Sequence, residues 1–255
     1  MVDQASVASA STNSTPPVTW VVGVGPSAGL GAALGRRFAK AGLTVALTGR
    51  NSDRVRSVAA EITNAGGHAH ALPGDVSSAD DIKRLTAEVQ TLGTLGVAIF
   101  NAGNAVHGTP LEITPEQFES TWRGSTYAGF LFTRATLPLL LEAGKGTLLF
   151  TGATGSVRGR GPFVAFAAAK AGLRSLAQSA AREYGPRGVH VAHIIIDGGI
   201  DGARLRMGMP QRAAEAGIDG LLDPDAIAET YWQLHQQHRS AWTHELDLRP
   251  YKESF

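Results

Sequence analysis

The chain contains no cysteine, which excludes a disulfide framework, a thiolate nucleophile and a thiolate metal site. It has no run approaching the roughly 20 apolar residues that a helix needs to span a bilayer. It also lacks an excess of charge of either sign. Its 23 Lys and Arg against 22 Asp and Glu leave a net charge of +1, and no basic run is present to track a phosphate backbone. The start has no basic segment followed by an apolar core, which argues against a signal peptide. The expectation is a cytoplasmic protein with no nucleic-acid or membrane partner.

What is present fits a globular protein with a sizeable core: 43% hydrophobic and 18% charged residues. Many of the 31 glycines sit at the ends of apolar runs, where tight turns use them. Residues Met1 to Pro17 are rich in Ser, Ala and Thr, have no hydrophobic period and read as a disordered tail. The folded domain is expected from 18 to 255.

From there, apolar β-branched runs alternate with amphipathic stretches. Val18 to Val24 reads as a buried strand, followed by the turn Gly25-Pro26-Ser27-Ala28-Gly29-Leu30-Gly31. A helix follows, with Leu34, Phe38 and Ala41 on one face and Gly42 at its end. Thr44 to Thr48 is a second strand, completing a βαβ unit. Further helices are expected over Ser52–Ala65, Ser78–Leu92, Thr114–Glu142 and Gly161–Tyr184, and strands over His68–Leu72, Val97–Phe100, Thr147–Thr151 and Val189–Ile196. The strand runs are apolar throughout, as a parallel sheet covered on both faces requires. The fold class is therefore α/β: one doubly wound, Rossmann-type domain with a parallel sheet of about seven strands.

The glycine turn follows a strand and opens a helix, the context of a nucleotide-phosphate site. Gly25 is expected to make the tight turn. Gly29 lets the backbone approach a pyrophosphate, and Gly31 lets the helix sit close to the sheet. Ser27 and Leu30 lie within the same cofactor-contacting turn. At the end of the second strand the chain reads Gly49-Arg50-Asn51 in place of a carboxylate, with Arg54 one turn on. A carboxylate there would grip the ribose 2′-hydroxyl of NAD, whereas Arg50 can pair with a 2′-phosphate, so NADP(H) is favoured.

Four features carry a resemblance: Gly25-x3-Gly29-Leu30-Gly31, Gly74-Asp75-Val76, Asn101-Ala102-Gly103 and Lys170 in the helix after the fifth strand. Together, in this order and spacing, they resemble the short-chain dehydrogenase/reductase family over about Val18 to Arg249. The resemblance implies that Asp75 and Val76 contact the adenine, that Asn101, Ala102 and Gly103 brace the sheet and line the cofactor cleft, and that Lys170 binds the nicotinamide ribose. It also implies a homodimer or homotetramer packed through the two long central helices and the last strand, Trp242 to Leu248.

The departures from the family pattern are equally specific. The family's active-site Asn falls on Ser125, its Ser on Gly152 or Ala153, and its Tyr on Phe166; of the four, only Lys170 matches. The Pro-Gly pair that covers the nicotinamide reads Asp197-Gly198. The chain thus resembles a divergent branch with Phe in place of the catalytic tyrosine.

Three functional readings follow. In the first, an NADP(H)-dependent oxidoreductase uses a relocated proton donor, with Tyr127, Asp197, His107 and Lys170 as candidates. In the second, hydride goes to an imine or activated alkene that needs no acid. In the third, the protein binds NADP as a silent sensor or assembly component. The stretch Asp201 to Leu222, a substrate lid in this family, carries Arg204, Arg206, Met207 and Met209, suited to an apolar substrate with an anionic or polar end. His235, His238 and His244 show no zinc spacing, and no metal is expected.

Overall fold

Val18–Val22 forms strand β1, buried along its whole length because its apolar, β-branched residues fill both faces of a covered sheet. Its Trp20 is fully buried, packs edge-on against Phe132 at 5.0 Å, and donates its indole N–H to Thr48 Oγ1 at 2.9 Å. Satisfying that donor keeps the full value of burying the ring, on the order of 2–3 kcal/mol. The computed structural model to which these residues belong describes residues 16–253. The expected tail lies, up to residue 15, outside the described residues.

The other strands are β2 (Thr44–Thr48), β3 (His68–Ala71), β4 (Leu95–Phe100), β5 (Gly146–Thr151), β6 (Val189–Ile196) and β7 (Glu245–Leu248). They form one seven-stranded sheet in the order β3-β2-β1-β4-β5-β6-β7, parallel throughout. Helices cover both faces. On one side lie α1 (Leu30–Lys40), α2 (Ser52–Asn64) and α9 (Pro224–His235); on the other α3 (Ala79–Thr91), α5 (Ala128–Glu142) and α6 (Val164–Tyr184). The short α4 (Pro115–Trp122) precedes α5, and α7 (Ala203–Gly208) and α8 (Pro210–Glu215) form the segment after β6. This is the single α/β, Rossmann-like domain that the alternating pattern implies.

The chain runs outward from β1 to β3 and then returns to β4 on the other side of β1. Loops after β1 and β4 therefore diverge, which opens a crevice at the carboxyl ends of these strands. The register makes those ends level: Val22 pairs with Thr48 and with Phe100, so the loops at Gly23, Gly49 and Asn101 start side by side.

Three details differ from the sequence reading. The edge strands are not apolar throughout: in β3, Ala69 and Ala71 pack on the core while His68 and His70 are exposed, because only one face of this edge strand is covered. Ala41 is exposed at the C-cap of α1, with only Leu34 and Phe38 of that trio in the core. The helix expected over Thr114–Glu142 is broken into α4 and α5 by a π-helical turn at Arg123–Tyr127, and the later helix starts at Val164, with Gly161 and Pro162 in the preceding loop.

Candidate active site and cofactor cleft

A cleft of about 830 Å³ opens where β1 and β4 diverge. Gly25, Arg50, Asp75, Val76, Asn101, Ala102 and Gly103 all line it, joined by Arg54, Asn104, Arg123, Arg204 and Met207. It is large enough for a dinucleotide-sized ligand.

The phosphate turn is built from the backbone. Gly23, not Gly25, takes the left-handed conformation, with φ of 87°. A Cβ at Gly23 would fall 2.5 Å from the Asn101 carbonyl carbon, so no other residue fits without moving β4's loop. Gly25 has no protein atom within 4 Å of its would-be Cβ and leaves open space in the cleft wall, the cradle a pyrophosphate would fill. Gly31 packs against the turn, where a Cβ would lie 2.7 Å from the Gly23 carbonyl oxygen, and this brings the start of α1 onto the sheet. Gly29 is the N-cap and has no side chain to offer; its carbonyl oxygen accepts from the Ala32 N–H at 3.1 Å, which leaves the Leu30 and Gly31 N–H groups without an intrahelical partner at the positive end of the helix dipole. Leu30 is buried in the core. Ser27 is turned outward: its hydroxyl contacts Glu61, and Arg36 donates to its carbonyl oxygen at 2.9 Å. The residues present fit a bound nicotinamide dinucleotide.

Asn101 ties three strands together. Its amide donates to the Gly23 carbonyl oxygen at 3.2 Å and its Oδ1 accepts from Thr151 Oγ1 at 3.0 Å. Tyr231 of α9, fully buried, lies 2.8 Å from the same Thr151 hydroxyl. Since that hydroxyl donates to Asn101, the phenol donates to it, which gives a directed chain from α9 to the phosphate turn. In the loop after β3, Asp75 accepts from the N–H and hydroxyl of Ser77 at 2.9 and 2.7 Å.

Lys170 lies behind Gly103 at the other end of the cleft. It is 5% exposed and its Nζ donates to the Thr151 carbonyl oxygen at 2.8 Å. Burial, with a smaller contribution from the charge of Arg204, lowers its pKa to about 8. The Phe166 ring centre is 6.0 Å from Nζ, and no hydroxyl is present on it. Ser125, within the π-turn, is 1% exposed and its hydroxyl has no partner among the described residues. Its neighbour Thr126 donates to the Ala169 carbonyl oxygen at 2.6 Å, which docks the π-turn on α6 beside Lys170. Such π-bulges recur at functional sites.

The other candidates face elsewhere. Tyr127 stacks on Trp122 at 5.8 Å, with Phe130 and Arg123 nearby, on the outer side of the helix, and does not line the cleft. Two residues along this turn rotate a side chain by about half a circle, so Tyr127 does not share Ser125's direction. Asp197 is buried but engaged, by Thr154 Oγ1 at 2.5 Å, Arg249 at 3.2 Å and Arg158 at 3.4 Å. His107 is exposed and rests against the Phe163 ring at 4.5 Å. A Cβ on Gly152 would collide with His193 Nε2, so the side of position 152 is filled by the imidazole. His193 is itself fully buried, bonded through Nδ1 to Glu245 at 3.0 Å, and burial lowers its pKa to about 4.

Sequence reasoning missed Gly23, Tyr231, Arg204's place in the cleft and the His193–Glu245 pair. Gly23 carried a readable signal, a glycine at a strand end; Tyr231 and His193 act through contacts across 80 and 52 positions, with no local pattern.

Residues 19–216 match the family model described as short chain dehydrogenase. The chain belongs to that family. A short-chain dehydrogenase from Rhodopseudomonas palustris is 38% identical, with a TM-score of 0.79 over 92% of this chain and 99% of that one. A metagenomic short-chain oxidoreductase, solved in complex with NADP, is 26% identical, with a TM-score of 0.77 over 93% and 98% of the two chains. The glucose 1-dehydrogenase of Gluconobacter oxydans is 32% identical over 174 residues, which span 67% of this chain and 65%, just under two thirds, of that enzyme.

Proposed function

We propose that the protein is an NADP(H)-dependent oxidoreductase acting on a small organic carbonyl compound, imine or activated alkene, with Lys170 as the proton source. The observation that carries this reading is Lys170 itself. A buried ammonium held by one backbone carbonyl, with a pKa of about 8, is poised to give up a proton near neutral pH, as a general acid must. NADPH, when bound, supplies the hydride. The Lys170 ammonium then balances the negative charge that develops on the acceptor oxygen. Phe166 contributes an apolar wall that excludes water.

Arg50 and Arg54 support NADP over NAD, because both line the cleft after β2 and the position at the strand end that would hold an NAD ribose carboxylate is Arg50. The NADP held by the metagenomic relative points the same way. The positive charges of Lys170 and Arg204 favour a neutral or anionic acceptor over a preformed iminium ion. Exposed Phe118, Trp122 and Phe130 along α4 and α5 support a homodimer or homotetramer joined through this face.

The test is NADPH oxidation, followed by nicotinamide absorbance, on matched panels of carbonyls, cyclic imines and activated alkenes, beside the NADPH and NADH dissociation constants. Turnover on at least one panel, with NADPH bound more tightly than NADH, is expected. Tight binding with no turnover on any panel would favour a cofactor-binding sensor instead.

A further inference from the structure

Four arginines line the cleft, Arg50, Arg54, Arg123 and Arg204, against a single carboxylate, Asp75. A bound NADP accounts for two of them, since Arg50 and Arg54 follow β2, where a ribose 2′-phosphate would lie. Its pyrophosphate is served by the backbone N–H groups and dipole at the start of α1. Arg123 and Arg204 are left over. They come from different walls: Arg123 from the π-turn after α4, and Arg204 from α7 in the segment after β6. Arg204 has no carboxylate partner among the described residues. Arg123 reaches Glu119 only at 3.8 Å, in an exposed pair, and lies 4.8 Å from the Tyr127 ring. The same cleft is also lined by Asn104, Ser120, Gly124 and Met207, which supply an amide, a hydroxyl and one apolar side chain but no acid.

Two guanidinium groups in a shared cleft, one without a carboxylate partner and the other in only a long, exposed pair, form a site for oxygen anions, because each fork presents paired N–H donors to a carboxylate or phosphate. We propose that the substrate carries an anionic oxygen group, a carboxylate or phosphate, which Arg204 and Arg123 hold in the mouth of the cleft while Met207 covers its apolar part. This rests on the oxidoreductase reading and narrows its substrate class. The field of Arg204 also reaches Lys170 and is the second cause of its lowered pKa. An anion at Arg204 neutralises that charge, so substrate binding and the protonation of Lys170 are coupled.

The test is calorimetric titration of protein loaded with NADP⁺, which allows binding without reduction. The probes are matched pairs: acetoacetate and acetoacetamide, phenylpyruvate and its methyl ester, dihydroxyacetone phosphate and dihydroxyacetone. NADP⁺ is titrated first, by itself, and that result reports separately on the cofactor reading. If NADP⁺ does not bind, the pairs are titrated on the protein alone. In at least one pair the anion is expected to bind about tenfold or more tighter than its neutral partner, the size of one hydrogen bond to a charged group. Arg204→Gln and Arg123→Gln should each reduce that preference severalfold and leave NADP⁺ affinity unchanged. The carboxylate and phosphate pairs distinguish the two anion sources. The proposal is overturned if no pair prefers the anion, if the preference survives both substitutions, or if Arg204→Gln weakens NADP⁺ instead, which would assign Arg204 to the cofactor pyrophosphate.

Discussion

Lys170 and Thr151 are joined by a buried hydrogen bond, ammonium to backbone carbonyl, at 2.8 Å. One acceptor does not replace the hydration of a cation, so burial holds the Lys170 pKa at about 8, below the usual 10.5. The unfolded chain binds that proton more tightly between these values, so stability rises with pH across the window. The displacement corresponds to about 3 kcal/mol. Lys170→Met removes the titration. Urea unfolding of both proteins from about pH 8 to about 10.5 should show the wild type gaining on the variant by an amount of this order. A flat difference would sink the assignment. Turnover should fall over the start of the same window, as the acid form of Lys170 is lost.

The Tyr231–Thr151–Asn101 chain makes a separate prediction. Tyr231→Phe keeps the ring and removes one buried hydrogen bond, at a cost of about 1 kcal/mol. Thr151→Val breaks both hydroxyl bonds and leaves Asn101 Oδ1 without its donor, at a cost of about 2 kcal/mol or more. Because Asn101 also holds the Gly23 turn, Thr151→Val should weaken NADPH binding, while Tyr231→Phe should leave it nearly unchanged. Equal stability and affinity in both variants and the wild type would show that the chain does not position the turn.

Acid lability should come from His193. Its folded pKa of about 4 lies below the usual 6.5, so the unfolded chain takes up a proton that the folded chain refuses. Stability from this group is present above about pH 6.5 and is lost as pH falls toward 4, about 3 kcal/mol in all. His235, lowered to about 4 by burial, acts in the same direction. The pairing of Glu245 with Arg174, at 2.6 and 2.7 Å, holds its carboxyl below the usual carboxylate range, so its charge beside His193 persists to lower pH than that of an unpaired glutamate. Unfolding midpoints in urea should therefore fall between pH 6.5 and 4, and His193→Asn should shallow the slope. An unchanged slope in the variant would place the acid sensitivity elsewhere.

The sheet was legible because its central strands are unbroken apolar runs and its turns are marked by glycine. β3 was placed at His68–Leu72, and only its expected apolar character failed, because an edge strand has one open face and its residues alternate. The lining of the cleft was legible at Arg50, Asp75 and Asn101, which follow strands, where the topology fixes position. Ser125 was placed in a regular helix, yet the π-turn decides which way it and Tyr127 point, and nothing in Arg123-Gly124-Ser125-Thr126-Tyr127 announces the extra residue in that turn. Asp197 looked free because the arginines that hold it, Arg158 and Arg249, are 39 and 52 positions away. Long-range ionic contacts of this kind leave no periodic trace.

The space around Gly152 sets what can be restored at the site. Gly152→Ser drives a side chain into His193 Nε2, and overpacking of this kind costs about 1–3 kcal/mol. Ala153, the next residue, is in extended backbone and half-buried, so Ala153→Ser can be accommodated. Thermal unfolding should separate the two, with only Gly152→Ser clearly destabilised. The double variant Ala153→Ser/Phe166→Tyr then offers a hydroxyl on the ring near Lys170 and a second one for an acceptor oxygen. If the missing phenol limits the reaction, reduction of neutral ketones with NADPH should rise by about a hundredfold, the value of a placed proton donor. A folded double variant that binds NADPH like the wild type and gains nothing would show that Lys170 already meets the need for a proton, and that specificity for the acceptor lies with the arginines at the mouth of the cleft.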